Sequence, residues 1–278
     1  MRINHFLNRL AALFVLASVS ITLSAQEEKG DREFVPRSGQ AGKDVIWVPT
    51  PQMLVDKMLD IAKVTADDFV IDLGSGDGRT VITAAKRGAS ALGIEYNPDM
   101  VELSKKNAAS EGVSGRAQFM QADLFEADFS KATVITMFLL PSINVRLRPK
   151  LLDLKPGTRI VSNTFDMEDW TPDETATLLK DCNSWCDALM WIIPAKVEGT
   201  WKMPQGELNL TQTFQMLSGT LKAANNSVPV IDGKLTGAQI TFSAGGAIYT
   251  GTVNGNVIEG SVTTGQQSTK WRAVRVEN

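Results

Sequence analysis

The sequence predicts an α/β domain on a largely parallel sheet, with helices on both faces and an antiparallel hairpin at one edge, followed by a small all-β module, a barrel or a sandwich. Three patterns carry that expectation. Short apolar runs alternate with helical stretches of about ten to fifteen residues from Asp44 onward, as βαβ units covered on both sides require. The first apolar run leads into "DLGSGDGR", residues 72 to 79, a glycine-rich turn ahead of a helix. From about Val197 the helical period disappears, and short strands follow one another across Gly, Asp-Gly and Asn-Gly turns.

At the amino end, "MRINHFLNRLAALFVLASVSITLSA" has Arg2 and Arg9 in a basic leader, an apolar core from Leu10 to Leu23 and small residues after it. This is the build of a secretory signal, residues 1–25, cleaved after Ala25. Its core is shorter than the ~20 residues of a spanning helix, so an uncleaved anchor is the runner-up. Either way the body is expected to be exported, periplasmic or secreted, with no stable membrane insertion after cleavage. Residues 26–43 are polar with Pro and Gly and read as a linker, order beginning near Asp44.

Thr50 then offers an N-cap and Pro51 a first helical residue for a helix on which Leu54, Val55, Met58, Leu59 and Ala62 share a face. "DFVIDLG" reads as a strand, "GRTVITAAKRG" as a helix stopping at Gly88, "ALGIEYN" as a strand, and "PDMVELSKKNAASEG" as a helix from Pro98 to Gly112. "AQFMQADLF" and "ATVITMFLL" are further strands, "NVRLRPKLLDLKPG" is a helical crossover and "TRIVSNTF" a strand. "TATLLKD" and "DALMWIIPAKV" form a hairpin whose turn carries both cysteines, completing a domain at 44–195. Residues 197–278 are expected to make a meander of six to eight strands. Leu208, Leu210, Phe214 and Met216 share one face there, and Trp201 and Trp271 bracket the core.

The chain has 28 basic and 31 acidic residues, a formal net charge of −3, and loss of Arg2 and Arg9 with the leader makes it −5. That balance leaves no electrostatic footprint for nucleic acid, which is not expected as a partner. The single histidine, His5, lies in the leader. The mature chain therefore has no histidine general base, triad or His-ligated metal, and no metal site is expected. Cys182 and Cys186, spaced CxxxC, are open between a disulfide across the turn and two unpaired thiols. A redox pair is disfavoured, because its spacing is CxxC.

The glycine turn lacks the GxxxxGK[ST] of a phosphate loop. A dinucleotide fingerprint needs glycine at its sixth position, where Arg79 stands. What stands here is Asp72 ahead of Gly74, Gly76 and Gly78, with Glu95 ending the next strand and Asp123 the third. In this arrangement residues 44–195 resemble a class I, seven-strand, Rossmann-like S-adenosylmethionine-dependent methyltransferase. "VPTP" at 48–51, "FLLPSINVRLRPKL" at 138–151 and "VSNTFDMEDW" at 161–170 narrow the resemblance to a family that includes bacterial proteins and mitochondrial protein-lysine methyltransferases.

The resemblance implies S-adenosyl-L-methionine as cofactor. Glu95 would accept from the ribose hydroxyls with Tyr96 beside it, and Asp123 from the adenine amine, with Leu124 or Phe125 on the ring. Asp72, Gly74, Ser75, Gly76 and Gly78 would face the methionine end, with Pro49 and Thr50 closing over it. Leu140 and Pro141 are the implied substrate-facing residues; Asn163, Asp166 and Trp170 are candidates for the same mouth. Asn144, Arg146 and Arg148 are open between substrate contact and a polar helix face. Methyl transfer from a sulfonium is mostly orientation in a dry site, so it needs no histidine. The acceptor is expected to be a protein lysine or another amine. The competing reading is an exported adenosine-ligand-binding module without catalysis; in both, the β module is a candidate for docking a partner or polymer. A nicotinamide oxidoreductase is disfavoured by Arg79 and by the missing histidine.

Overall fold

A computed structural model of the chain describes residues 34–180, 182–223 and 226–276. The leader and the first part of the linker lie outside the described residues.

The amino-terminal domain is one mixed sheet. Its strands are β1 (Phe69–Leu73), β2 (Ser90–Glu95), β3 (Ala117–Gln121), β4 (Val134–Met137), β5 (Arg159–Asn163), β6 (Glu174–Thr177) and β7 (Asp187–Ile192). They lie in the order β3-β2-β1-β4-β5-β7-β6. The first five run parallel, β7 is antiparallel to β5, and β6 to β7. Side chains alternate across a strand with period two. Accordingly Val70, Val134 and Val161 join the core under α1 (Gln52–Ile61), α2 (Arg79–Lys86) and α3 (Pro98–Ser110), while Ile71, Ile135 and Ile160 join the core under α4 (Pro141–Leu151). The chain order reverses between β1 and β4, so a crevice opens at their carboxyl ends, where open α/β sheets bind ligands.

Two boundaries differ from the sequence reading. Pro51, not Thr50, is the residue preceding α1; the Thr50 hydroxyl accepts instead from Asn163 Nδ2 at 3.3 Å, inside the fold. β4 stops at Met137, and Leu140, at φ −62° and ψ 151°, leads into α4 with Pro141 as its first residue, so "FLLPS" is a strand-to-helix turn rather than a strand end. At the β6–β7 hairpin, Cys182 and Cys186 are disulfide-bonded.

The carboxyl-terminal module is a closed antiparallel barrel of eight strands, the upper end of the expected range. They are β8 (Gly199–Met203), β9 (Gly206–Thr213), β10 (Met216–Ala223), β11 (Asn226–Thr236), β12 (Gln239–Ala244), β13 (Ala247–Asn254), β14 (Val257–Thr264) and β15 (Gln267–Arg275). β15 closes the ring on β8 through Val274↔Lys202 and Arg275↔Trp201. Trp201, Leu208, Leu210, Phe242, Tyr249 and Trp271 fill the interior. Tyr249 stacks on Phe242 at 4.7 Å, and Trp271 meets both rings edge-on. Closure removes the exposed strand edges that an open sheet would present.

"GELNLTQTFQML" is not one strand. The chain reverses at Phe214 and Gln215, with Phe214 at φ 53°. Met216 is then largely exposed and Phe214 leaves the barrel face that the alternation assigned to both. Phe214 stacks at 5.4 Å on Trp170, which donates from Nε1 to Gln215 Oε1 at 2.9 Å. Gln215 Nε2 returns a bond to the Thr171 carbonyl at 2.8 Å. Trp170, expected at the mouth of the site, is therefore fully buried where barrel and sheet domain meet.

Candidate active site

The crevice is walled by the turn after β1, the ends of β2 and β4, the loop after β3 and a segment ahead of α1. Asp72, on β1, is buried and accepts from Thr136 Oγ1 on the neighbouring β4 at 2.6 Å. Burial, helped by the nearby Glu95 and Asp77 charges and opposed by the hydrogen bond from Thr136, raises its carboxyl to about 7. The glycine turn follows, with Gly74 and Ser75 amides donating to the Ile94 carbonyl at 2.9 and 3.1 Å. At Gly76, φ is 54° and an added Cβ would sit 2.4 Å from Trp47 Nε1, so glycine lets the covering segment approach the loop. Ser75 is part of this wall; its Oγ is buried against Gly93 beside Phe119 without a hydrogen-bond partner among the described residues.

Glu95 ends β2 and grips the turn: Oε2 accepts from the Gly76 amide and Oε1 from the Asn97 amide, both at 2.9 Å. Tyr96, half exposed, stands beside it in the wall. Asp123 lies two residues beyond β3 and accepts from the Phe125 amide at 2.9 Å and from Lys43. The Lys43 hydrogen bond holds the Asp123 carboxyl below its ordinary range, and the same bond raises Lys43. Leu124 completes this side.

Pro49 and Thr50 close the opposite side. Their position is set from below: Arg79, clamped on the Asp77 carboxylate, donates from Nη1 to the Thr50 carbonyl at 2.9 Å. Arg79 thus ties the glycine turn to the segment that covers it. Residues 37–47, partly assigned to the linker by composition, turn back on themselves through Gly39 N to Trp47 O at 2.8 Å and Trp47 N to Gln40 O at 2.9 Å. They bring Gln40, Lys43 and Trp47 over the crevice.

Of the residues the sequence singled out, Pro49, Thr50, Asp72, Gly74, Ser75, Gly76, Glu95, Tyr96, Asp123 and Leu124 share this one cavity. Gly78 sits behind it, at φ 83° before α2, where a Cβ would collide with the Phe119 ring at 2.7 Å. Leu140 and Pro141 lie past the wall; Phe138 and Leu139 take that place. Asn163 is fully buried beneath Thr50. Asn144 holds a turn, donating to the Phe165 and Asp166 carbonyls at 3.1 and 3.0 Å. Lys43, Trp47, Phe138 and Thr136 were missed, although the apolar "VIWV" before Pro49 was a usable sign of a packed segment.

The family described as the ANTKMT methyltransferase domain matches residues 72–174. A protein-lysine N-methyltransferase of Saccharolobus islandicus is 50% identical over 133 residues, covering 47% of this chain and 83% of that protein. The adenine nucleotide translocase lysine N-methyltransferase of Mus musculus is 36% identical over 105 residues, 37% of this chain, and the match spans slightly less than half of that relative, 46%. A crystal structure of an RNA methyltransferase from Salinibacter ruber in complex with S-adenosyl-L-homocysteine is 49% identical, with a TM-score of 0.51, and covers 54% of this chain and 96% of its own.

Proposed function

We propose that this chain, which belongs to the ANTKMT family of S-adenosylmethionine-dependent methyltransferases, transfers the cofactor's methyl group to the side-chain amine of a protein lysine. The observation that carries the acceptor is the protein-lysine relative, 50% identical across 83% of its length. The net charge of −3 supports the same choice over a polyanionic RNA.

The residues present fit the cofactor. Three carboxylates, Asp72, Glu95 and Asp123, stand at the ends of adjacent strands, and the buried Ser75 Oγ lacks a partner among the described residues. Asp72 and Ser75 suit an ammonium and a carboxylate, Glu95 suits a ribose diol, and Asp123 suits an adenine amine once Lys43 gives way. When bound, S-adenosylmethionine supplies a sulfonium-activated methyl group. The chain's part is then positional: Phe138, Leu139 and Ile143 form an apolar wall that keeps water out. Such a wall favours the neutral amine of an incoming lysine, the form with a free lone pair. Fixing that lone pair toward the methyl carbon supplies the rate by orientation.

The reading extends to location, on the basis of Arg2, Arg9 and the apolar core from Leu10 to Leu23: the protein is exported and acts outside the cytosol. Mass measurement of the native amino terminus tests this, with a chain starting at Gln26 expected and an intact Met1 in cytosolic material overturning it. For the chemistry, purified protein is incubated with methyl-labelled S-adenosylmethionine and with separate cytosolic and envelope fractions. Label is expected in protease-sensitive material that yields methyl-lysine on hydrolysis. Label in ribonuclease-sensitive material would replace the lysine reading with RNA, and no labelling of either would support the purely ligand-binding alternative.

A further inference from the structure

Three neighbouring parts of the sheet domain each bring an aromatic ring to a cluster around Phe138, the member that lines the crevice. Phe138 directly follows β4 and belongs to the cavity wall. Phe165 lies two residues past β5 and stacks on Phe138 at 5.8 Å with 18° between the rings. Its backbone is pinned: the Phe165 carbonyl accepts from Ser162 Oγ at 2.6 Å and from Asn144 Nδ2 at 3.1 Å. Trp185 comes from the β6–β7 turn. Because β7 runs antiparallel to β5, that turn falls at the same end of the sheet as the carboxyl ends of the parallel strands. Trp185 meets Phe138 at 5.8 Å with its plane tilted by 64°.

Trp185 differs from the four buried tryptophans, and from the half-buried Trp47, which packs on the Gly76 turn. Trp170, Trp191, Trp201 and Trp271 are buried, and each donates its indole N–H inside the protein. Trp185 is 40% exposed, stands at φ 56° and lies inside the loop closed by Cys182 and Cys186. A crosslink across four residues restricts where this one tryptophan can go. The chemistry that such a corner recognises is a flexible aliphatic stem with a cationic tip, since ring faces pack methylenes and attract an ammonium.

We propose that Trp185, with Phe138 and Phe165, forms the slot that takes the acceptor's lysine side chain, and that Trp185 is a specificity-determining residue for the methyl-transfer reaction. The proposal rests on the lysine reading above. The slot guides the stem past Phe138 to the crevice; the ammonium gives its proton to water on the way, the amine lone pair then bonds the methyl carbon, and the carbon–sulfur pair leaves with sulfur as S-adenosylhomocysteine.

The probe is S-adenosylhomocysteine compared with an analogue in which an aminobutyl arm, mimicking a lysine side chain, is attached at the sulfur position. Calorimetry on the wild-type protein is expected to show the armed analogue binding about tenfold tighter than S-adenosylhomocysteine. In Trp185→Ala the affinity for S-adenosylhomocysteine stays within about twofold, while the arm's advantage falls below about threefold, and Trp185→Phe restores most of it. Unchanged S-adenosylhomocysteine binding also certifies that the variant is folded. An arm advantage that survives in Trp185→Ala overturns the role of Trp185 and leaves the lysine reading intact. No advantage in the wild type overturns both.

Discussion

The two modules solve opposite packing problems with the same element. In the sheet domain, side chains at the strand ends leave a crevice, and the polar groups buried around it include Asp72, Ser75, Thr80, Thr136, Ser162 and Asn163. In the barrel the strands close on themselves around Trp201, Leu208, Phe242 and Trp271. Among the described residues the barrel's buried polar side chain is Gln215, which points out of it toward Trp170. Burying polar groups costs stability unless they are partnered; Asp72, Thr136 and Ser162 are, whereas Ser75 Oγ and Asn163 Oδ1 have no hydrogen-bond partner among the described residues, and there the sheet domain gives up stability for a site. The lesson is a division of labour: a site at the strand ends, and a closed barrel whose Phe214–Gln215 turn meets Arg148 of α4 and Trp170.

Four substitutions can break or sharpen that contrast, starting with the largest effect. Trp201→Ala removes a fully buried ring and its bond to the Val197 carbonyl, and is expected to cost about 3–5 kcal/mol of stability. Denaturant titration measures the loss, and the folded fraction should still bind S-adenosylhomocysteine with wild-type affinity. If affinity fell in parallel, the barrel would be part of the site.

Gly76→Val does the reverse. Its Cβ would press on Trp47 from a left-handed backbone conformation, and S-adenosylhomocysteine affinity is expected to fall roughly 100-fold or more. Calorimetry that found near-normal binding would show that the covering segment gives way freely.

Asp72 tests the cost of a buried acid. With its carboxyl raised to about 7, the folded protein keeps a proton that the unfolded chain has lost above pH ~4. Stability therefore falls as pH rises from about 4 to about 7, and the penalty is complete above that. Asp72→Asn should flatten this part of the profile and be roughly 2–4 kcal/mol more stable than wild type at pH 8, read from denaturation at pH 5 and pH 8. Parallel pH profiles for the two proteins would refute the burial argument.

The smallest effect belongs to Lys43→Ala. Freeing Asp123 from its exposed ion pair should tighten S-adenosylhomocysteine binding by about two- to fivefold, with the gain shrinking in high salt. Weaker binding in this variant would mean that Lys43 helps to hold the ligand.

Much of this architecture was legible locally. Apolar runs of period two, Pro98 and Gly112 bounding α3, and Asn97 capping it through the Asp99 and Met100 amides are all short-range chemistry. So are the glycines and Asp-Gly and Asn-Gly turns that announce the barrel hairpins. The three acids were legible because strand ends could be counted. The Phe214 turn was not: Phe214 fits the strand alternation, and only Trp170, 44 positions away in the chain, offers the ring that makes an outward Phe214 favourable. Thr50 looked like a helix cap because nothing nearby reveals Asn163, 113 positions away.

Residue order therefore settled the class of fold, the glycine turn and the carboxylates at the strand ends, since each depends on neighbours within a few positions. Contacts between distant segments settled the rest: which side of Met137 faces the crevice, that Lys43 and Trp47 cover it, that Trp170 serves the docking surface, and that Trp185 reaches Phe138. Those outcomes depend on competition among partners brought together by folding, and a residue's preference for one partner cannot be read before the others are in place.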